Sequence, residues 1–369
     1  MPSILQVLPY ADMNGTERHV HLLATHARSR GWETTVALPP GPMRQVLRDE
    51  GIPVVDLPPI RLGTFPEVRR ILARTMQAHD LAHVHAAMEL ALTLGWRRPF
   101  PLVFTAHCYH TALDYAKAGL FLNPSCSATI SVSSAERTRL LAGGLDPERH
   151  RTILNGIDLA PFLAAPPSDL RAELGLSGEV LLVGTIGRLS RMKRVDVLIR
   201  AIARCQNPVH LVIAGDGDRR GALENLAKHL GVSSRVHWLG RRTDVAQILG
   251  GLDVFATASE REGLSLAALE AMASGLPLTV TTIAEFEDLV DPRWAISLPI
   301  RQARDWAQAW DGLHGDPARR AAMGHAARER SLDFSTERMG DETLGLYSEL
   351  LRTTERWRSV SSLPGSPAG

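Results

Sequence analysis

Residues 254–273 read Val254-Phe255-Ala256-Thr257-Ala258-Ser259-Glu260-Arg261-Glu262-Gly263-Leu264-Ser265-Leu266-Ala267-Ala268-Leu269-Glu270-Ala271-Met272-Ala273. The first five are apolar or β-prone and stop near Ser259. A turn containing Gly263 follows, and from about Leu264 the run is helical to residue 274. A short apolar strand feeding a helix is the building unit of a parallel sheet covered on both faces.

That unit recurs on either side. Strand-like runs lie at 4–8, 34–38, 54–57, 82–85, 102–106 and 129–132, with 152–154 expected as the last of the set. Between them lie amphipathic stretches such as 16–30, where Val20, Leu23, Ala24 and Ala27 share one helical face. The rhythm breaks at 161–168, around Ala164-Ala165-Pro166-Pro167, and restarts with runs at 180–186, 209–214, 236–239, 254–258, 278–281 and 295–298. Helical runs at 195–205 and 264–274 fall among these. The expected fold class is α/β: two doubly wound Rossmann-like domains facing a cleft, with ligands at the carboxyl ends of the strands. The expected boundaries are a first domain at 1–160 and a linker at 161–175. A second domain follows at 176–335, then a helix returning toward the first domain at 336–355. A Ser/Pro/Gly-rich tail at 356–369 is expected to be disordered.

Length and composition agree with two domains. The chain has 369 residues, 44% of them hydrophobic and 22% charged, which is ordinary for a globular protein. The 41 basic and 40 acidic residues leave a formal charge of +1, so nothing favours a nucleic-acid partner. Cys108, Cys126 and Cys205 lie far apart without CxxC spacing, which argues against a disulfide framework or zinc site and for a reducing, cytoplasmic setting. Met1-Pro2-Ser3-Ile4 runs into a strand without a basic n-region, unlike a signal peptide. No window holds 18 uninterrupted apolar residues.

Two stretches carry chemistry. In the first, Glu262 and Gly263 are expected at a helix N-terminus, where unpaired N–H groups favour anions. Glu270 lies two turns on, roughly on the same helix face. Two such glutamates alone suit a cap and a surface residue. Glu270, however, is embedded in Ala267-Ala268-Leu269 and Ala271-Met272-Ala273, where an inward carboxylate needs a partner such as a ligand hydroxyl. The second stretch, Gly187-Arg188-Leu189-Ser190-Arg191-Met192-Lys193, follows a strand and offers two cations, Arg188 and Lys193. A solvated basic turn is the plain alternative. Lys193 is one of only three lysines, with Lys117 and Lys228, and its compact charge suits a phosphate.

Together these stretches resemble the retaining, nucleotide-sugar-dependent GT-B glycosyltransferases of family 4 (glycosyl transferases group 1). The likeness rests on E-x7-E at Glu262 and Glu270 and on G-R-L-x3-K at Gly187, Arg188, Leu189 and Lys193. It extends to Val212-Ile213-Ala214-Gly215-Asp216-Gly217, Leu239-Gly240-Arg241-Arg242-Thr243-Asp244 and Leu154-Asn155-Gly156-Ile157-Asp158. It covers residues from about 3 to about 350. The resemblance implies that Glu270 holds the ribose and Glu262 the transferred sugar. Arg188 and Lys193 would neutralise the diphosphate, with backbone N–H groups at Gly263, Leu264 and Ser265. Arg241 and Arg242 would flank the base. It further implies that Asn14 and Gly15 form the loop after the first strand, and that His107 lies near the donor sugar. The implied substrates are a UDP- or GDP-sugar donor and a glycan or lipid-linked acceptor of cell-envelope polysaccharide, with no metal or other cofactor.

The chain departs from the pattern twice. The first loop has Asn14-Gly15 where the family has two glycines, and asparagine tolerates the left-handed conformation such a turn needs. The G-G-x-x-E segment after the strand at 278–281 is replaced by Thr282-Ile283-Ala284-Glu285-Phe286-Glu287, which bears on the sugar pocket. Gly215-Asp216-Gly217 does not have GxGxxG spacing. His107-Cys108-Tyr109-His110 is a poor metal pair, and His83 and His85 are expected to be packed or hydrogen-bonded. Arg69-Arg70-Ile71-Leu72-Ala73-Arg74 is expected to be a solvated helix face, with peripheral contact to anionic lipid at the inner membrane face as the alternative. Two other functions remain open: a nucleotide-sugar epimerase of the same fold, and a catalytically weak sugar-nucleotide-binding protein.

Overall fold

Strand β1 (Ser3–Val7) is buried at all five positions, as a central parallel strand must be. The computed structural model describes residues 1–95, 100–109, 111–164, 168–176 and 179–361, giving only the backbone at 93 and 354–361. Six more strands join β1: β2 (Glu33–Leu38), β3 (Val54–Asp56), β4 (Leu81–His85), β5 (Leu102–Ala106), β6 (Ala128–Ser131) and β7 (His150–Thr152). All pair in parallel, in the order β3-β2-β1-β4-β5-β6-β7. A second parallel sheet holds β8 (Leu181–Ile186), β9 (Val209–Ala214), β10 (Val236–Gly240), β11 (Val254–Thr257), β12 (Leu278–Thr281) and β13 (Ala295–Leu298), ordered β10-β9-β8-β11-β12-β13. Each sheet therefore reverses strand order once, between β1 and β4 and between β8 and β11. Such switch points open a crevice at the strand carboxyl ends.

The chain divides into two compact units, Met1–Gly156 with the residues from Thr336, and Ile157–Ser335. The first boundary thus falls a few residues before the expected 160. The expected linker carries two short helices of the second unit, Ala160–Leu163 and Leu170–Glu173; residues 165–167 lie outside the described residues. Pro161 is accommodated in the first helical turn, where a missing N–H costs nothing, and Phe162 is buried. The last helix runs Thr336–Ser361, past the expected end at 355, and residues 362–369 lie outside the described residues.

In the first unit, Val20, Leu23, Ala24 and Ala27 of the Gly15–Ser29 helix are fully buried, as their spacing implies. Leu23 and Ala27 share a core with Ile4, Leu81 and Val103 of the sheet and with Met339 and Tyr347 of the last helix. Each fully buried large aliphatic or aromatic side chain there is worth about 1.5–3 kcal/mol. Arg69, Arg70 and Arg74 of the Phe65–Thr75 helix are exposed, while Leu72 beneath them is buried. In the second unit, glycines let the loops leaving the strands press together. Gly215 has φ 147°, and a Cβ there would fall 1.9 Å from the Gly187 carbonyl oxygen. Its N–H donates to the Gly240 carbonyl at 2.7 Å, tying the ends of β8, β9 and β10.

Candidate active site

The switch point of the second sheet sends out the two loops singled out in the sequence. They are linked by a backbone bond from Glu260 N–H to the Met192 carbonyl at 2.8 Å. Glu262 Oε1 accepts from Lys193 Nζ at 2.6 Å and from Ser259 Oγ at 2.6 Å. Ser259 is fully buried, and its hydroxyl also lies 3.1 Å from Thr257 Oγ1 at the end of β11. Both bonds fall on one carboxylate oxygen; Oε2 has no partner among the described residues. A carboxylate fixed through one oxygen and open at the other is suited to accept from a sugar hydroxyl.

The helix after this loop starts later than expected. It spans Leu266–Ala273, and Ser265 is its cap, accepting from Ala268 N–H at 3.4 Å. Glu262 and Gly263 therefore precede the helix, and the shared-face argument for Glu262 and Glu270 fails. Glu262 is placed by Lys193 and Ser259, Glu270 by the helix. Glu270 is 1% exposed, between Leu269 and Ala271, both fully buried. Leu264 and Ser265 are also buried.

Arg188 is exposed just past β8, with no side-chain partner among the described residues. Lys193, expected on a diphosphate, is paired with Glu262. Arg194 at the start of the Val195–Ile202 helix takes the left-handed conformation, φ 47°, and is gripped by Asp196 and Glu260. Arg241 is exposed. Arg242 is tied to Asp244 at 2.5 Å and Glu173 at 2.7 Å, which leaves its backbone as the part available to a base.

In the first unit the loop after β1 differs from expectation. The left-handed residue is Met13, φ 66°, not Asn14. Asn14 is extended, φ −80° and ψ −168°, because it occupies the cap position of the helix that Gly15 begins. His107, just past β5, is 9% exposed and sits among histidines. His85 Nδ1 lies 3.2 Å from His107 Nε2, and His85 Nε2 lies 3.2 Å from Gln6 Oε1. His19 Nδ1 is 2.8 Å from Asn155 Oδ1, and its ring meets that of His107 edge-on at 4.8 Å. His83 bridges Tyr347 Oη at 2.5 Å and Thr105 Oγ1 at 2.7 Å. Burial lowers the basicity of all four; His19 falls to about 4.

His83 and His85 are thus hydrogen-bonded, as expected. His19, His85 and His107 do bring ring nitrogens within 4.8 Å of one another, a spacing that could admit a metal ion. Both nitrogens of His85, one of His19 and one of His107 are already taken by protein partners. The set is best described as a hydrogen-bonded cluster, and no clear cofactor site is found among the described residues.

Several of these residues escaped sequence reasoning. Ser259 and Asn155 carry no signal beyond their place inside quoted stretches, and His19 and Gln6 none beyond their place in a helix and a strand. Glu285 had a signal. Counted from Thr281, Thr281-Thr282-Ile283-Ala284-Glu285 keeps the glutamate of G-G-x-x-E and changes only its glycines. Glu285 is 2% exposed, with Arg261 Nε 3.9 Å away.

Comparison with known proteins bears on the fold and the family. Residues 168–330 match the family described as glycosyl transferases group 1, and residues 13–161 match glycosyltransferase family 4. A D-inositol 3-phosphate glycosyltransferase of Nocardia farcinica is 30% identical over 87% of this chain and 76% of its own length. That of Mycobacterium marinum is 29% identical over 91% of this chain and 81% of its own. Among solved structures, Anabaena HepE in complex with UDP-glucose superposes with a TM-score of 0.85 at 23% identity, covering 95% of this chain and all of that one. The described residues contain no helix long and apolar enough to cross a membrane.

Proposed function

The chain belongs to the family 4 glycosyltransferases of GT-B fold, and from that premise we propose a retaining transferase that moves a sugar from a UDP- or GDP-sugar to a hydroxyl of a glycan or lipid-linked acceptor in the cytoplasm. The observation that carries the reading is Glu262, fixed through Oε1 by Lys193 and Ser259 and open at Oε2. The helix beyond it holds Glu270. In this reading Glu270 takes the ribose hydroxyls and Glu262 a hydroxyl of the transferred sugar. Arg188, Lys193 and the N–H groups at Gly263, Leu264 and Ser265 face the diphosphate, whose charge grows as it departs. The acceptor hydroxyl approaches on the face the diphosphate leaves and gives its proton to the leaving phosphate. Acceptor-dependent release of nucleoside diphosphate tests the activity, and a pure binder would show none.

The two glutamates should separate in calorimetry with bare UDP and GDP. Glu270→Ala removes a charged acceptor shared by donor and product, and should weaken the bound nucleotide about 10–100-fold, the scale of 1.5–3 kcal/mol. Glu262→Ala should leave that affinity intact while impairing transfer, since Lys193 is then free to follow the diphosphate. Equal losses in both variants would refute the division of roles.

Turnover should also survive EDTA. Guanidinium, ammonium and backbone N–H groups supply the positive field that a divalent ion would otherwise bring. Abolition by the chelator with rescue by magnesium or manganese would contradict this.

A further inference from the structure

Gln6, His85 and His107 form a linear chain across β1, β4 and the end of β5, through contacts of 3.2 Å and 3.2 Å. A neutral imidazole has one donor nitrogen and one acceptor nitrogen, so fixing the proton at one end of such a chain fixes it along the whole length. We propose that His85 is a positioning residue that sets which nitrogen of His107 carries the proton. Gln6 Oε1 accepts from His85 Nε2–H, which leaves His85 Nδ1 as an acceptor. His107 Nε2–H donates to it, and His107 Nδ1 keeps a lone pair.

Nδ1 is the ring atom of His107 with no partner among the described residues, and the residue keeps 9% of its surface exposed. An atom so placed accepts a hydrogen bond from a hydroxyl. The ligand class is therefore a substrate hydroxyl, which rests on the glycosyl transfer proposed above. The surroundings hold the arrangement. His19, anchored on Asn155, packs edge-on against the His107 ring, and His83 lies 3.9 Å from the His85 ring, centroid to centroid. Low basicity keeps His85 and His107 singly protonated at neutral pH, the condition the chain requires. Gln6 Nε2 is buried without a partner, so rotating the amide is the one move that reverses every link and puts the proton on His107 Nδ1.

The test is long-range ¹H–¹⁵N correlation NMR on the full chain carrying ¹⁵N-histidine, with His107→Asn assigning the signals. The expected spectrum shows His107 protonated at Nε2 and bare at Nδ1; protonation at Nδ1 overturns the proposal. Kinetics supply the second readout. His85→Leu should lower kcat about two- to tenfold, the worth of one hydrogen bond, with affinity for bare UDP or GDP unchanged. His85→Asn, whose amide oxygen can stand in for Nδ1, should recover most of that loss. Equal kcat in the Leu and Asn variants would mean that His85 only fills space. Should His85→Leu fail to fold, Gln6→Leu serves instead, with averaging of the two His107 forms expected and an unchanged spectrum overturning the proposal. The expected tautomer with full activity in His107→Asn would leave the proton chain and the glycosyl transfer standing and overturn the substrate contact.

Discussion

Acidification should unfold the first unit at a pH where the second still holds. Buried His19, His83, His85, His107 and His150 all have basicity lowered by desolvation, with His19 and His150 at about 4. An unfolded histidine binds its proton near pH 6.5. Between that value and about 4 the unfolded chain therefore holds more protons than the folded one, so stability falls as pH falls. Above about 6.5 neither state is protonated, and the contribution is level. Well inside the window each histidine removes about 1.4 kcal/mol per pH unit. Five such histidines in one unit all act in the same direction, so the first unit loses stability as pH falls through this window. In the second unit His210 and His237 are shifted the same way but only partly buried. Segment-resolved hydrogen exchange between pH 7 and 4 should show residues 1–156 losing protection first. Simultaneous loss of both units below pH 4 would assign acid sensitivity to carboxylates instead.

On the proposed mechanism, removing either of the cations assigned to the diphosphate should cut kcat more than it raises KM for the donor. The diphosphate is anionic before reaction, so Arg188→Ala and Lys193→Ala each cost some binding. The leaving group gains further charge as the glycosidic bond breaks, and a fixed cation stabilises that increment most. By the scale of one oxyanion donor, about 2.7–4 kcal/mol of barrier is at stake, or about 10²–10³ in kcat. Arg188→Lys should rescue only in part, because an ammonium lacks the bidentate fork. Lys193 has a second duty through its bond to Glu262, so the Lys193→Ala/Glu262→Ala pair should be strongly non-additive. A raised KM with kcat intact would reduce both cations to ground-state binders.

Strands with apolar sequence and clear boundaries were legible to the residue: β5, β9, β12 and β13 lie where their runs are read. The edge strand β7 is expected at 152–154 and lies at His150–Thr152, because a polar His-Arg-Thr run has no apolar signature. The Leu266–Ala273 helix was started two residues early, since Leu264 is buried like a helical residue although Ser265 is the cap. Within the site, residue types and their order were readable, but not their pairing. Lys193 and Glu262 stand 69 positions apart, and only the β8–β11 crossover joins them. The histidine cluster was hidden for the same reason. His19, His85, His107 and Asn155 come from four separate segments, and Gln6 sits unmarked inside an apolar strand.

The division of the chain also governs the order in which the protein can be completed. Residues 157–335 interrupt the first unit, whose last helix begins only at Thr336. Met339 and Tyr347, fully buried partners of Ile4, Leu81 and Val103, are therefore made only after the whole second unit. At about 5–20 residues per second, the first sheet waits roughly 10–40 s for them. During that interval the nascent first unit lacks one wall of its core, and His83 lacks the phenol that closes its hydrogen bonds. The second unit, continuous in sequence, is under no such delay and can be finished first.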